Sequence, residues 1–166
     1  MLQTLYEPES TVSTLRAPVS EQVQPLRVRD VMSGSPVTIP PSMSVYEAHT
    51  LIQQRKVRHL PVLKDGCLVG IVSDRDIRLV LPSSATSLAV WEIRPLLDKL
   101  TVGEMMTYFV MTTAPDRLMT EAVGRMLGHK VGALPVVENR RVVGILTRTD
   151  VLRAFRRLSF TLSVTA

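Results

Sequence analysis

Residues 28–77 read VRDVMSGSPVTIPPSMSVYEAHTLIQQRKVRHLPVLKDGCLVGIVSDRDI, and residues 102–151 read VGEMMTYFVMTTAPDRLMTEAVGRMLGHKVGALPVVENRRVVGILTRTDV. Shifted by 74 positions, the second stretch lies on the first without a gap. Identical pairs include Met32/Met106, Thr38/Thr112, Glu47/Glu121, Ala48/Ala122, Leu60/Leu134, Pro61/Pro135, Gly70/Gly144 and Asp76/Asp150. An ungapped match of this density is a duplication, and it makes the chain two copies of one supersecondary unit.

Both copies parse alike. An extended piece (36–39, 110–113) leads to Pro41 or Pro115. A helix follows: Ser44 and Glu47 have the capping-box spacing, and Val45, Ala48 and Ile52 share a face. In the second copy Met119, Ala122, Val123, Met126 and Leu127 recur at helical spacing, with Asp116 as the expected cap. A hairpin comes next, turned by Asp65-Gly66 in the first copy and, with weaker chemistry, by Asn139-Arg140 in the second. A second helix starts at Ser73-Asp-Arg-Asp76 or Thr147-Arg-Thr-Asp150. The fold expected is α/β (α+β), two β-α-β-β-α repeats packed sheet to sheet about a pseudo-twofold axis. One unit of about 50 residues is too small to cover both faces of its own sheet.

Outward from the repeats, residues 78–101 link them, with a loop over 82–87 and a helix interrupted or started near Pro95. Residues 1–27, rich in Ser, Thr and Pro, read as an N-terminal arm, and residues 152–166 as a basic tail. The net charge of +5 is unevenly spread: −1 over 1–27, +1 over each of 28–77, 78–101 and 102–151, and +3 over 152–166. The body is balanced, which argues against a nucleic-acid binder with a broad basic face. Val151, Leu152, Phe155 and Leu158 recur at roughly helical spacing, so the tail is expected to dock by its apolar side and leave Arg153, Arg156 and Arg157 in water. With 45% hydrophobic residues the chain can fill a core, and disorder is excluded. A lone cysteine, Cys67, forms no internal disulfide. No apolar run is long enough for a membrane span, and MLQTLYEPES lacks the pattern of a signal peptide. A cytoplasmic location is expected, without membrane contact.

The residues that carry chemistry sit where the second helix of each copy begins. Ser73 with Asp76, and Thr147 with Asp150, satisfy the capping-box spacing by themselves. The same geometry suits a ligand, because a helix N-terminus attracts phosphate and a carboxylate one turn in can accept from a ribose diol. No nucleophile–base pair and no metal-ligand spacing stands out; His49, His129 and Cys67 do not cluster. Neither enzymatic activity nor a cofactor is expected.

The succession Met32-Ser33 or Met106-Thr107, an extended piece, a helix, Leu-Pro-Val, a hairpin, and Gly-x-x-Ser/Thr-x-x-Asp resembles the cystathionine β-synthase (CBS) domain, and the tandem resembles a CBS pair, or Bateman module. The linker is also similar to that of short bacterial CBS-pair proteins and of acetoin-utilisation-type regulators. Those regulators carry a further C-terminal domain with no counterpart in these 166 residues. The resemblance implies a regulatory module that binds AMP, ADP, ATP or S-adenosylmethionine in clefts between the repeats, assembles as a homodimer and acts on another protein. It implies that Val37-Thr38 and Val110-Met111 read the adenine edge. It places Arg58-His59, ahead of Leu60-Pro61, in the cleft of Thr147, Thr149 and Asp150. The cleft of Ser73, Arg75 and Asp76 then faces Gly132-Ala133, ahead of Leu134-Pro135, and is the poorer in cations. Met119, Val123 and Met126 are expected on an exposed helix face that serves the dimer. Two rival readings remain from the residues alone: a structural dimerisation module with vestigial clefts, and a nucleic-acid-associated protein.

Overall fold

A computed structural model describes residues 24–80 and 90–164. Most of the expected arm, residues 1–23, and the expected loop over 82–87 lie outside the described residues. In chain order the elements are β1 (Ser33–Gly34), α1 (Val45–Arg55), β2 (His59–Lys64), β3 (Cys67–Ser73), α2 (Asp74–Val80), α3 (Val90–Lys99), α4 (Val102–Met105), α5 (Met119–Gly128), β4 (Ala133–Glu138), β5 (Arg141–Thr147) and α6 (Arg148–Val164). A short 3-10 turn spans Val28–Asp30. Helices and sheets mix as the repeat requires.

Each repeat is organised around a hairpin of matched register. His59 stands opposite Ser73 in β2/β3, and Ala133 opposite Thr147 in β4/β5. Both hairpins carry a bulge at the matched step, Val62/Leu63 and Val136/Val137. Their two-residue turns need positive φ at both central positions. Asp65 and Gly66 supply it at 52° and 76°; Asn139 and Arg140 adopt 48° and 64°, the second without glycine's freedom. The weaker turn chemistry therefore makes the same turn.

The segments opening the two repeats are exchanged. β1, which precedes α1, pairs antiparallel with β5 of the second repeat, Gly34 opposite Gly144. Thr107, which precedes α5, bridges to Ile71 of β3 in the first. The exchange reaches the helix starts. Val45 N–H, at the start of α1, donates to Leu100 C=O at 2.8 Å, and Met119 N–H, at the start of α5, donates to Leu26 C=O at 2.9 Å. α1 also has its expected capping box, Ser44 with Glu47. For α5 the expected cap, Asp116, is corrected: the position matched to Ser44 is Leu118, which has no hydroxyl, and Asp116 is ion-paired to Arg29 instead. The Leu26 carbonyl serves the first N–H of α5 as the Leu100 carbonyl serves that of α1, while the bond that the Ser44 hydroxyl takes from Glu47 N–H has no side-chain counterpart in α5.

Two cores result, each completed by residues from outside its own hairpin. Leu97, Val102 and Met106 join Val45, Ala48, Ile52, Leu60, Val62, Val72 and Ile77 in the first. Val28, with Leu26, Val31 and Met32 against it, joins Met119, Ala122, Met126, Leu134, Val136 and Leu146 in the second. Fully burying one such aliphatic side chain is worth about 1.5–3 kcal/mol. The methionines lie on glycines: a Cβ on Gly70 would meet the sulfur of Met106, and one on Gly144 the sulfur of Met32. The linker helix α3 runs through Pro95 and packs on α1, where the Arg94 guanidinium stands 4.9 Å from the centre of the Tyr46 ring.

Two surface expectations are corrected. Met119 and Met126 are buried and Val123 packs against them, because α5 turns that face onto its own sheet; its exposed apolar residue is Leu127. The tail continues α6, and of its stripe only Val151 packs against the second core as a partly buried residue. Leu152 and Phe155 are 67% and 68% exposed, and Leu158 is half in water. The buried carboxylate of Asp150 fixes the helix rotation, turning Val151 and Ala154 inward and Leu152 and Phe155 outward. Among the described residues no helix is long and apolar enough to cross a membrane.

Candidate functional site

The two second helices begin with the same closed arrangement. At α2, Ser73 N–H and hydroxyl both donate to Asp76 Oδ2, at 2.8 and 2.6 Å, and Asp76 N–H donates back to Ser73 Oγ at 3.3 Å. At α6, Thr147 N–H and hydroxyl donate to Asp150 Oδ2 at 2.9 and 2.5 Å, and Asp150 N–H returns the bond at 3.3 Å. Each carboxylate thus caps its helix, which satisfies two otherwise unpaired donors. Asp150 is the more enclosed. It is 6% exposed, its Oδ1 accepts from the Ser33 hydroxyl of β1 at 3.3 Å, and Arg153 stands 3.7 Å away.

Two short segments cross from one sheet to the other beside these helix starts. The first leaves β1 on β5 and reaches β2, where Ile39 bridges to Val62; it carries Val37 and Thr38. The second leaves Thr107 on β3 and reaches β4, where Thr113 bridges to Val136; it carries Val110 and Met111. Val37 packs partly into the first core and Met111 into the second, while Thr38 is exposed. The strand that opens the first crossing segment touches α6 through the Ser33 hydroxyl, which donates to Asp150, and Thr107, which opens the second, bridges to Ile71 two residues before Ser73.

His59 is the residue on which the two repeats meet. Its ring stands over Gly132, with the Arg148 guanidinium beside the same point. Burial is the main cause that holds its pKa below the usual histidine value of 6.5. Asp76 opposes that, Arg148 and Arg58 reinforce it, and Asp74 opposes it. His59 thus lies against the start of α6 while the carboxylates acting on it belong to the start of α2. Arg58, Arg75 and Thr149 are exposed. Leu60, Pro61, Leu134 and Pro135 are fully buried, so they position the residues ahead of them and offer no surface; Ala133 is 6% exposed.

Sequence reasoning did not single out Ser33, Asp74 or Arg148. Asp74 and Arg148 occupy matched positions with opposite charge, a signal visible in the repeat alignment. Asp74 Oδ2 is paired with Arg78 at 2.8 Å, and its Oδ1 is buried without a hydrogen-bond partner. Beside Asp150, a cavity of about 380 Å³ is lined by Leu26, Asp30, Val31, Met32, Ser33, Arg153, Ala154, Arg157 and Leu158. Among the described residues, no group of three or more His, Cys, Asp or Glu is arranged to hold a metal ion.

The CBS domain family matches this chain twice, over residues 28–83 and 102–157. Among solved structures, the CBS domain pair of protein MJ0100, in complex with 5′-methylthioadenosine and S-adenosyl-L-methionine, is similar with a TM-score of 0.67 at 31% identity, covering 79% of this chain and 96% of that one. CBSX2 of Arabidopsis thaliana in complex with AMP is similar with a TM-score of 0.67 at 32% identity, over 80% and 98% of the two chains. A putative acetoin utilization protein of Vibrio cholerae is similar with a TM-score of 0.68 at 29% identity, over 85% and 97%. The chain spans 23% of the length of the first two curated relatives it matches, which are 32% and 35% identical to it.

Proposed function

The chain belongs to the CBS domain family, and from that premise we propose that it is a regulatory module with no chemistry of its own, which binds adenosine-containing ligands in two clefts between its repeats. The observation that carries the reading is the pair of helix starts, each with a carboxylate one turn in and each beside a segment that crosses between the sheets. That arrangement offers backbone N–H groups to phosphate and a carboxylate to a ribose diol. Two of the similar CBS-pair structures hold AMP in one case and 5′-methylthioadenosine with S-adenosyl-L-methionine in the other, which supports the same ligand class here.

In this reading one cleft combines Thr147, Thr149 and Asp150 with Val37, Thr38, Arg58 and His59. The other combines Ser73, Arg75 and Asp76 with Val110, Met111 and Ala133. Occupancy changes the packing of one repeat on the other, and a protein partner senses it. Thermal shift with AMP, ADP, ATP and S-adenosylmethionine is the test, since a ligand that binds only the native state raises Tm by mass action. A rise with at least one of them supports the reading; no rise with any at millimolar concentration refutes it.

A second reading, a dimerisation module whose clefts are vestigial, draws on one specific observation: both capping boxes are complete without a ligand. The two readings share a homodimer. Its interface is proposed on the outward face of α6, where Leu152 and Phe155 are exposed, in place of the α5 face that the cores absorb.

A further inference from the structure

The basic stretch that follows Asp150 is a sequence feature the proposed clefts do not use. It forms the inward side of α6, and with the opening segment of the first repeat, from Leu26 to Ser33, it lines the cavity of about 380 Å³. That volume is in the range of small-molecule sites. The lining is of three kinds. Leu26, Val31 and Met32 supply apolar surface, Arg153 and Arg157 two cations, and Asp30 and Asp150 two carboxylates, so its formal charges cancel. Asp150 is already engaged, its Oδ2 in the cap of α6 and its Oδ1 with the Ser33 hydroxyl. Arg153 Nη1 stands 3.7 Å from that Oδ1, beyond hydrogen-bond distance, and its guanidinium keeps donors for another carboxylate. Asp30 is anchored on its turn by Arg27 N–H, which donates to its Oδ2 at 2.8 Å. The positions matched to Arg153 and Arg157 are Leu79 and Ser83, so the first repeat carries neither cation.

A lining of this kind selects by charge pattern. A phosphate would meet two carboxylates and a simple amine two guanidiniums, each at a repulsive cost. A small molecule with one charge of each sign on an aliphatic body satisfies all three parts of the lining. We propose that this cavity binds an α-amino acid group, with Arg153 and Arg157 on its carboxylate, Asp30 on its ammonium, and Leu26, Val31 and Met32 against its aliphatic side chain. A guanidinium on a carboxylate is among the stronger polar contacts available to such a group. The group has two sources: a free aliphatic amino acid, and the amino-acid tail of an adenosyl compound whose ribose lies on Asp150. Only the second source rests on the proposed adenosine reading.

Calorimetry on wild type, Arg153→Gln and Ala154→Phe tests this. The probes are L-leucine, isocaproate and isoamylamine, which lack its ammonium and its carboxylate respectively, and the pair S-adenosylmethionine and methylthioadenosine. Arg153 is 64% exposed and Ala154 lines the cavity, so neither substitution removes a core side chain, and thermal melts verify the fold. For a free amino acid, L-leucine binds wild type about tenfold more tightly than either analogue, and both variants lose that advantage. For an adenosyl ligand, S-adenosylmethionine binds about tenfold more tightly than methylthioadenosine, and both variants remove the difference while methylthioadenosine keeps its affinity. Either pattern supports the site and identifies the source. The site is overturned if L-leucine gains nothing over its analogues and S-adenosylmethionine nothing over methylthioadenosine, or if both variants bind as wild type does. Wild type that binds neither adenosyl compound refutes the adenosine reading and leaves L-leucine to decide the cavity.

Discussion

His59 Nε2 stands 3.1 Å from the point that a Cβ on Gly132 would occupy. The first repeat thus pushes a ring across the pseudo-twofold axis into space the second repeat leaves by having no side chain there. Gly132 is matched in the alignment to Arg58, so the two copies have diverged in size where they touch. Gly132→Ala should lower stability in the wild type by about 0.5–1.5 kcal/mol and be neutral or stabilising in a His59→Ala background. A double-mutant cycle by urea denaturation measures the coupling. Independent effects would show that the ring moves aside freely.

The lowered pKa of His59 has a direct consequence for stability. The folded state binds its proton less tightly than the unfolded state, whose histidine titrates near 6.5. Stability is therefore unaffected by this group above that pH. It falls as the pH drops through 6.5 and levels off below the folded-state value. Wild type should lose more in Tm between pH 7.5 and 5.5 than His59→Gln does. Parallel curves for the two proteins would contradict the shift.

Asp76 and Asp150 cap helices whether or not a ligand is bound, so each has a structural role that can be read without one. Asp76→Ala and Asp150→Ala should each destabilise the ligand-free protein by about 1–2 kcal/mol. Asp150→Ala should have the larger effect, since Asp150 is the more buried of the two and also accepts from the Ser33 hydroxyl. Thermal melts in ligand-free buffer check the order. If either variant melts with wild type, the capping bonds carry no net stability and that carboxylate is free to serve a ligand alone.

The outward stripe of α6 predicts how the chain associates. Phe155→Glu and Leu152→Glu place charge at positions that are 68% and 67% exposed, so Tm at high dilution should stay within about 2 °C of wild type. Sedimentation velocity at about 10 μM should show the dimer weakened in both. A dimer that survives both substitutions lies on another face.

The duplication was legible because an ungapped alignment reports contacts that do not depend on where the chain goes next. Both hairpins, the capping boxes at Ser44, Ser73 and Thr147, and the inward face of α1 follow from residues within about eight positions of one another. What could not be read was every long-range choice. The carbonyl that takes the first N–H of α5 belongs to Leu26, more than ninety residues away, and nothing local to Leu118 announces it. In α6 the apolar period favours Leu152 and Phe155 inward, while a buried carboxylate at the first turn decides the rotation. The burial of Met119 and Met126 is not legible because helical spacing shows that a face exists without showing what lies opposite it. In the candidate site, Asp76 and Asp150 were found from their motif. Arg148 was passed over because its importance comes from His59 on the other repeat.

The exchange of opening segments makes each repeat an incomplete object. Cut between α2 and α3, the first half would keep Met32, which belongs over Gly144, and lose Met106, which belongs over Gly70. Neither fragment could close its own sheet, and each would expose the strand edge that its missing partner covers. A protein with only one such repeat would have to borrow the segment from an identical neighbour, giving and receiving the same few residues. Joining two repeats in one chain turns that loan between molecules into an internal one, independent of concentration, and lets the copies drift apart in the details that distinguish Arg153 from Leu79.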